Sequence, residues 1–314
     1  MSNYTMLVPI ISIGIILSSL YKGINYRKDK NAIDINRYIS ENGTNNTGCP
    51  IMWIYITSDM YSIDWNEFGS RIDNDLQPYI SLCIKSIIEK CGEDFNVVLV
   101  NDNSLSSILP EWDIDMENLS NPLKKKIRDI AVTKILYLHG GLFVPPTLLS
   151  TKSLIEPYNT ASMQNKILIG EISNKTIMSS YVNFAPSLSL IGCDKENKSI
   201  LKLGGDMEAI LSSDYTNESV FNGDTERIMM NMFNDGKLYV LDGESIGLKD
   251  DDGYMVTIDR LLGSSYVPFK RCIYGVYIPI HDVVNSHMYN WLMRMSVEEL
   301  MMSKTIIGEM FRHN

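Results

Sequence analysis

The chain has 314 residues, enough to bury one large hydrophobic core or two modest ones, and we expect one main domain. Its 28 Lys and Arg residues stand against 38 Asp and Glu residues, so the formal net charge at pH 7 is −10. This charge, without any basic stripe, excludes nucleic acid as an expected partner. The five cysteines are scattered and form no C-x-x-C pair, so neither disulfides nor a zinc site are predicted.

The N-terminal segment has the composition of a membrane anchor. Residues 1–21 carry no charged side chain, and residues 6–21 are apolar enough for a short span. We therefore expect a transmembrane or signal-anchor helix at 1–21, a polar linker at 22–49 and a folded domain at 50–314. By the positive-inside rule, the basic residues that follow the apolar run predict a single-pass protein with a cytoplasmic domain. The alternative is a buried N-terminal helix of a soluble protein. The basic residues are Lys22, Arg27, Lys28 and Lys30.

The folded part begins with a pattern that alternates between strand and helix. A buried strand is predicted for "IMWIYI", an amphipathic helix for "QPYISLCIKSIIEKC" and a second buried strand for "FNVVLVNDN". This β-α-β unit indicates an α/β fold. The second strand ends in Asn101, Asp102 and Asn103, and open α/β sheets bind ligands at such strand ends. These residues are therefore candidates for binding a nucleotide.

The next element is a predicted helix over residues 122–139, with apolar residues at helical spacing. Gly140 and Gly141 end this helix, and the short apolar strand that follows stops at Pro145 and Pro146. Further strands are predicted for "KILIGEI", "YVNFAPSLSLIG", "GKLYVLDG" and "RCIYGVYIPI". Further helices are predicted for "KENKSILKLGGDMEAILSS", "DTERIMMNMF" and, at the C-terminus, "VEELMMSKTIIGEMFRH".

The order of these features over roughly residues 51–160 resembles the capsular polysaccharide synthesis glycosyltransferases. These are relatives of the sugar transferases that carry an Asp-x-Asp motif on a GT-A type fold, which binds nucleotide-diphospho-sugars. The resemblance implies a mixed sheet flanked by helices and, if the protein is an enzyme, a hexosyltransferase activity. Asp129 matches the family's helix Asp, Gly140 and Gly141 match its Gly-Gly pair, and Thr147 matches the Thr of an Asp-x-Thr version of the motif.

The metal motif is degenerate in this chain. Pro145 stands where the family has the Asp that holds Mn²⁺ or Mg²⁺ on the diphosphate, and proline offers no ligand. Val132 stands where the family usually has an Arg, three residues after the helix Asp. We therefore assign no metal ligand, and Mn²⁺ or Mg²⁺ remains an open question as a cofactor.

Two hypotheses follow from the sequence. The first is a membrane-anchored, glycosyltransferase-like protein that transfers a sugar from a nucleotide-sugar donor to a glycan, with an atypical or metal-independent site. Asp102 and Asp129 would then contact the uridine or ribose, with Gly140, Gly141 and Thr147 in the same binding site. The second is an inactive transferase fold that serves as a binding or structural module, with a protein partner, in a membrane or viral assembly. The Asn- and Ile-rich composition fits an A/T-rich genome such as that of a large DNA virus, and in that case the membrane would be that of a host or a virion.

Other side chains are weaker candidates. His281 and His287 follow the last predicted strand and could supply an imidazole near a diphosphate, although both also suit an ordinary surface loop. Three groups of spaced carboxylates could bind a hard cation, but chance pairs are expected in an acidic chain. They lie at residues 73–75, 113–115 and 250–252.

Overall fold

The folded domain is seen in a computed structural model, which describes residues 43–44, 48–64, 70–172, 186–213 and 218–313. The membrane segment expected at residues 1–21 and nearly all of the linker expected at 22–49 lie outside the described residues. Within the described part of the chain, no helix combines the length and the apolar character needed to cross a bilayer.

Strands and helices alternate along the described chain, and most of the predicted elements are confirmed. The strands are β1 (Ile51–Tyr55), β2 (Tyr61–Asp64), β3 (Ser70–Leu76), β4 (Asn96–Val100), β5 (Gly141–Val144), β6 (Leu148–Ser150), β7 (Ile167–Gly170), β8 (Ser187–Cys193), β9 (Leu238–Leu241) and β10 (Gly275–Tyr277). The helices are α1 (Pro78–Cys91), α2 (Leu105–Ile108), α3 (Asn121–His139), α4 (Ile155–Met163), α5 (Lys198–Ser212), α6 (Glu218–Asn234), α7 (Ile258–Leu262), α8 (Ile280–Asn285), α9 (Val297–Met302) and α10 (Ile306–His313).

A mixed six-stranded sheet, flanked by helices, forms the centre of the fold, as predicted. Its strand order is β4-β1-β5-β8-β7-β9. β8 is antiparallel to both of its neighbours, and the other pairs are parallel, so five strands point the same way. The carboxyl ends of β4, β1 and β5 therefore meet at one side of the sheet. We call this side, where Val100, Tyr55 and Val144 end their strands, the carboxyl edge.

Both faces of the sheet are covered by hydrophobic cores. In β1, Met52 and Ile54 join a core with α1 and the C-terminal helices, whereas Trp53 joins a core with α3 and α5. β5 alternates in the same way, with Leu142 in the first core and Phe143 in the second. A sheet buried on both faces explains why its parallel strands appear in the sequence as continuous apolar runs.

The two prolines carry the chain from the main sheet to a second, smaller one. Proline has no N–H group, so Pro145 and Pro146 end the hydrogen-bond ladder of β5. Leu148 N donates to the carbonyl of Pro145 at 3.1 Å, which closes a turn. The chain then enters β6, which pairs antiparallel with β10, and Ile278 N donates to the Thr147 carbonyl at 3.0 Å. The turn is thus held between two sheets.

The prediction of one continuous C-terminal helix is wrong, because α9 and α10 are separate helices. Side chains between them compete with the helical hydrogen bonds of the backbone. Ser303 Oγ donates to the Leu300 carbonyl at 2.8 Å, and Thr305 Oγ1 accepts from Gly308 N at 3.1 Å, as a residue at a helix N-terminus does. The antiparallel pair of β2 and β3 and the helix α4 were not predicted.

Candidate functional site at the carboxyl edge

Asp102 lies at the carboxyl edge, directly after β4. Asn101 turns the chain there, because its side chain accepts a hydrogen bond from Ser104 N at 3.0 Å and starts a short 3₁₀ helix at Asp102. This turn directs the carboxylate of Asp102 towards the end of β1 and towards α3. The sequence prediction that Asp102 lies at a strand end is confirmed.

Asp102 is the centre of a hydrogen-bond network that joins three elements. Tyr55 Oη, at the end of β1, donates to Asp102 Oδ1 at 2.8 Å. From α3, Arg128 donates through Nε to Oδ1 at 2.8 Å and through Nη2 to Oδ2 at 2.6 Å. This is a bidentate pair, in which the flat guanidinium matches the flat carboxylate. About a fifth of each side chain stays exposed, 20% for Arg128 and 21% for Asp102, so the pair can still be reached from solvent.

The network keeps both members of the pair charged. Burial by itself would raise the pKa of Asp102, but the hydrogen bonds from Arg128 and Tyr55 outweigh it and lower the pKa. Burial would likewise lower the pKa of Arg128, and the hydrogen bonds to Asp102 reverse this effect. The positive charge of Lys124 also lowers the pKa of Asp102, which shows that this lysine is close to the network.

A second carboxylate, Asp59, lies in a short 3₁₀ helix directly after β1. Thr57 Oγ1 donates to Asp59 Oδ1 at 2.5 Å, and Gln77 Nε2 donates to the Asp59 carbonyl at 2.8 Å. The charge of Asp59 raises the pKa of Arg128, so the two side chains are near each other. The carboxyl edge therefore carries two carboxylates, one after β1 and one after β4.

His281, at the start of α8, belongs to the same charged group. The residue is exposed, but protein atoms around its ring partly desolvate the ring and lower its pKa, and the positive charge of Lys125 lowers it further. Asp59 and Asp282 act in the opposite direction. A neutral imidazole therefore lies within electrostatic range of the Asp102 network, which agrees with its position after the last strand. The structure gives no comparable interaction for His287.

Three buried polar atoms beside this edge have no hydrogen-bond partner among the described residues: Thr147 Oγ1, Gln77 Oε1 and Tyr79 Oη. Thr147 is only 1% exposed. Tyr79 is linked to Asp59 electrostatically and also to Tyr277, which pairs with Leu148, the residue after Thr147. Buried polar groups normally have a hydrogen-bond partner, and an orphaned one costs about 1–3 kcal/mol. Their position suits a polar ligand at the carboxyl edge.

Asp129 lies beside Arg128 on α3 but is turned away from the Asp102 network, because successive helical residues are about 100° apart. One turn earlier, Lys126 Nζ lies 3.4 Å from Thr225 Oγ1 of α6, and Asp129 shares that side of α3. Part of Asp129 is at the surface, yet burial raises its pKa to about 6, and Glu226 adds to the rise. Asp129 has no hydrogen bond to another described side chain.

Gly140 and Gly141 lie at the amino end of β5, about 10–13 Å along the strand from the carboxyl edge. Both have positive φ, +70° and +102°. A Cβ on Gly140 would lie 2.7 Å from Lys195 N, and one on Gly141 would overlap the Ile51 carbonyl oxygen. Trp53 Nε1 also donates to the Gly140 carbonyl at 2.9 Å. The pair is therefore needed for the tight turn, and the structure does not bring it to Asp102.

Sequence reasoning missed Tyr55, Asp59 and Arg128. A signal was present for the first two. Tyr55, whose hydroxyl is polar, ends an apolar strand, and the polar run "TSD" follows β1 as the polar run "NDN" follows β4. Arg128 carried no such signal, because the direction of a helical side chain depends on how the helix packs. The structure thus brings together groups from β1, β4 and α3 that are far apart in the sequence.

No group of three His, Cys, Asp or Glu side chains in the described part of the chain could hold a metal ion. In two of the acidic groups weighed as cation ligands, a carboxylate has a structural role. Asp115 accepts from Glu117 N at 3.0 Å, and Asp250 pairs with Arg260 at 2.8 Å. The side-chain groups at the carboxyl edge are two carboxylates, a guanidinium, an imidazole and hydroxyls. This set is suited to binding a polar or anionic molecule.

The fold and site define an α/β protein with a polar, charged edge on a mixed sheet. Comparison of the chain with protein-family models, with curated proteins and with solved structures finds no match.

Proposed function

We propose that the chain is a glycosyltransferase-like protein with a GT-A type fold, which binds a nucleotide-sugar at the carboxyl edge. If the protein is catalytically active, it acts as a hexosyltransferase that transfers the sugar from the nucleotide-sugar to a glycan. The observation that carries the proposal is the network of Asp102, Tyr55 and Arg128 at the carboxyl ends of neighbouring parallel strands. Open α/β sheets bind their ligands at this side.

The architecture supports this proposal in two further ways. The main sheet has one reversed strand, β8, and the chain leaves β5 through a turn into a small second sheet, an arrangement compatible with a GT-A type fold. The chemistry of the edge is also suitable, because carboxylates can accept hydrogen bonds from ribose hydroxyls and an arginine can donate to phosphate oxygens. If Asp129 contributes to the binding of the nucleotide-sugar, it does so from the side of α3 that faces α6.

A second candidate function rests on the turn at Pro145 and Pro146. Every residue from 140 to 150 is buried, and neither proline offers a metal ligand. A transferase that needs Mn²⁺ or Mg²⁺ would require a ligand there. The alternative is an inactive transferase fold, used as a binding or structural module with a protein partner in a membrane or viral assembly.

We also propose that residues 6–21 anchor the protein in a host or virion membrane, with residues 50–314 on the cytoplasmic side. The proposal rests on the apolar run and the basic residues that follow it. Protease treatment of sealed membranes tests it: a protected domain, or glycosylation at Asn217, would show the opposite orientation.

The test of the proposed function is a calorimetric titration of the full chain with UDP-sugars and GDP-sugars, with and without Mn²⁺. Binding with turnover supports the transferase, and binding without turnover supports the module. Asp102→Ala should weaken the binding, and Asp94→Ala is the matched control, because Asp94 precedes the amino end of the same strand, β4. If no nucleotide-sugar binds to the parent protein, the proposal fails.

A further inference from the structure

We infer that Arg128, with Lys124 and Lys125, binds the diphosphate of the ligand directly and takes the place of a divalent metal ion. Asp102 and Tyr55 are then positioning residues, which hold the guanidinium at the carboxyl edge. This inference rests on the proposed function, and it names the groups that would neutralise the ligand. It also gives Asp102 an indirect part in binding instead of a contact with the ribose.

The hydrogen-bond count of the network favours this assignment. An arginine side chain has five N–H donors, and Arg128 gives one from Nε and one from Nη2 to Asp102. The three remaining N–H groups make no hydrogen bond to another described residue, so a ligand can accept from them. Asp102, in contrast, already accepts three hydrogen bonds, two from Arg128 and one from Tyr55. The arginine therefore has more remaining capacity for a ligand than the carboxylate.

The charges around the network point to an anion. Lys124 and Lys125 lie in the first turns of α3, on the Arg128 side of the helix start, and neither forms a salt bridge with another described residue. Lys124 acts on Asp102 and Lys125 on His281, so both positive charges reach the carboxyl edge. Lys125 also acts on Asp129, but in a chain with a net charge of −10 two lysines beside an arginine are still a local exception.

The same groups explain how a diphosphate could bind beside a turn that offers no metal ligand. Asp102 offsets the charge of Arg128, so the remaining positive charge comes from the two lysines, and the carboxylates of Asp59 and Asp129 reduce it below that of a divalent ion. Asp59 lies close by and opposes an anion, which makes direct donation by Arg128 more important. A planar guanidinium can hold two phosphate oxygens at once, which a lysine cannot do.

The experiment compares the binding of UDP and GDP with that of uridine and guanosine to the full chain in EDTA. We expect a diphosphate to bind at least about tenfold more tightly than its nucleoside. Arg128→Gln should lower the affinity for the diphosphate about ten- to hundredfold. Arg128→Lys should bind the diphosphate little better than Arg128→Gln, because a lysine ammonium cannot hold two phosphate oxygens side by side as a guanidinium does. Nucleoside affinity should stay nearly constant in both variants.

Because Arg128 is partly buried and its loss removes the salt bridge of Asp102, Arg128→Gln could fail to fold. A second variant keeps the test valid in that case. Lys124→Gln with Lys125→Gln removes two side chains that form no salt bridge with a described residue, and it should lower diphosphate affinity about two- to fivefold for each lysine. Lys195→Gln is the matched control. Lys195 is an exposed lysine near His139, at the far end of α3, and its loss should have no effect.

The outcomes separate this inference from the proposed function. If nucleoside and diphosphate bind equally well, or if the diphosphate binds only with Mn²⁺, the cation assignment is overturned while nucleotide binding stands. If the lysine variants and the control lose the same affinity, the assignment is also overturned. If neither nucleosides, diphosphates nor nucleotide-sugars bind, the proposed function and the inference fail together.

Discussion

Replacing Pro145 by Asp tests whether the turn after β5 is a degenerate metal site or a closed, apolar segment. Pro145 is buried, as are its neighbours on both sides, and its carbonyl accepts the hydrogen bond from Leu148 N that closes the turn. Pro145→Asp keeps this backbone acceptor and adds a carboxyl group. In a closed segment the carboxyl has no partner, so it must be protonated or pay for desolvation.

The expected cost follows from the pH. An Asp side chain in the unfolded chain has a pKa of about 3.9, and each pH unit above it adds about 1.4 kcal/mol to the free energy of keeping the group protonated. At pH 7 this is about 4 kcal/mol, and at pH 4.5 about 1 kcal/mol. The pKa in the folded state is raised, so the folded state binds more protons and stability falls as the pH rises.

The assay is urea unfolding of the full chain at several pH values from 4.5 to 7, for Pro145→Asp and for Pro145→Asn. The Asn variant loses the same proline ring and gains an uncharged group of similar size. We expect the stability difference between the two variants to grow by about 3 kcal/mol over this range. Mn²⁺ should not change this stability difference, unless the carboxyl edge retains the geometry of a metal site.

Two results would refute this reasoning in different ways. If Mn²⁺ stabilises Pro145→Asp but not Pro145→Asn, and the variant gains Mn²⁺-dependent binding of a nucleotide-sugar, the segment descends from a metal site. If both variants are as stable as the parent and bind neither metal nor nucleotide, the turn does not mark a transferase site.

Three other predictions concern the fold and the charged network. Gly141→Ala should destabilise the full chain by about 2–5 kcal/mol, through backbone overlap and positive φ, whereas Gly205→Ala, with open space around it, should stabilise it by about 0.5–1 kcal/mol; urea unfolding measures both. A double-mutant cycle of Asp102→Asn and Arg128→Gln should give a coupling energy of about 1–3 kcal/mol, and a value near zero would contradict the bidentate pair. Since the folded pKa of Asp129 is raised to about 6, the parent should lose stability as pH rises from about 4 to 6, a loss absent in Asp129→Asn.

The strands and helices could be predicted because their apolar residues follow the period of each element. β1 and β4 are continuous apolar runs, and α3 has a helical repeat that ends at glycine. The prediction failed at the C-terminus, where apolar residues keep their helical spacing across a break. There Ser303 and Thr305 decide the outcome through local hydrogen bonds, which a hydrophobic pattern does not record.

The site was predictable only where it depends on the end of a strand. Asp102 follows β4, so its place at the carboxyl edge follows from the topology of a parallel sheet. The part of Arg128 depends on the rotation of α3 against the sheet, and the burial of Thr147 depends on β10, which comes much later in the chain. The resemblance implies that Gly140 and Gly141 bind the ligand, whereas the backbone geometry gives them a structural role.

The turn and the charged network are best understood together. A diphosphate at the carboxyl edge must be neutralised, and a buried Pro-Pro turn has no ligand to hold a metal ion for that purpose. The same edge carries an arginine fixed by Asp102 and Tyr55, with two lysines of α3 beside it. Side-chain cations cannot leave with the product as a metal ion can, but they lose affinity as salt rises. Nucleotide binding that is insensitive to EDTA and weakens from low to physiological salt would therefore distinguish this arrangement from a metal-dependent transferase.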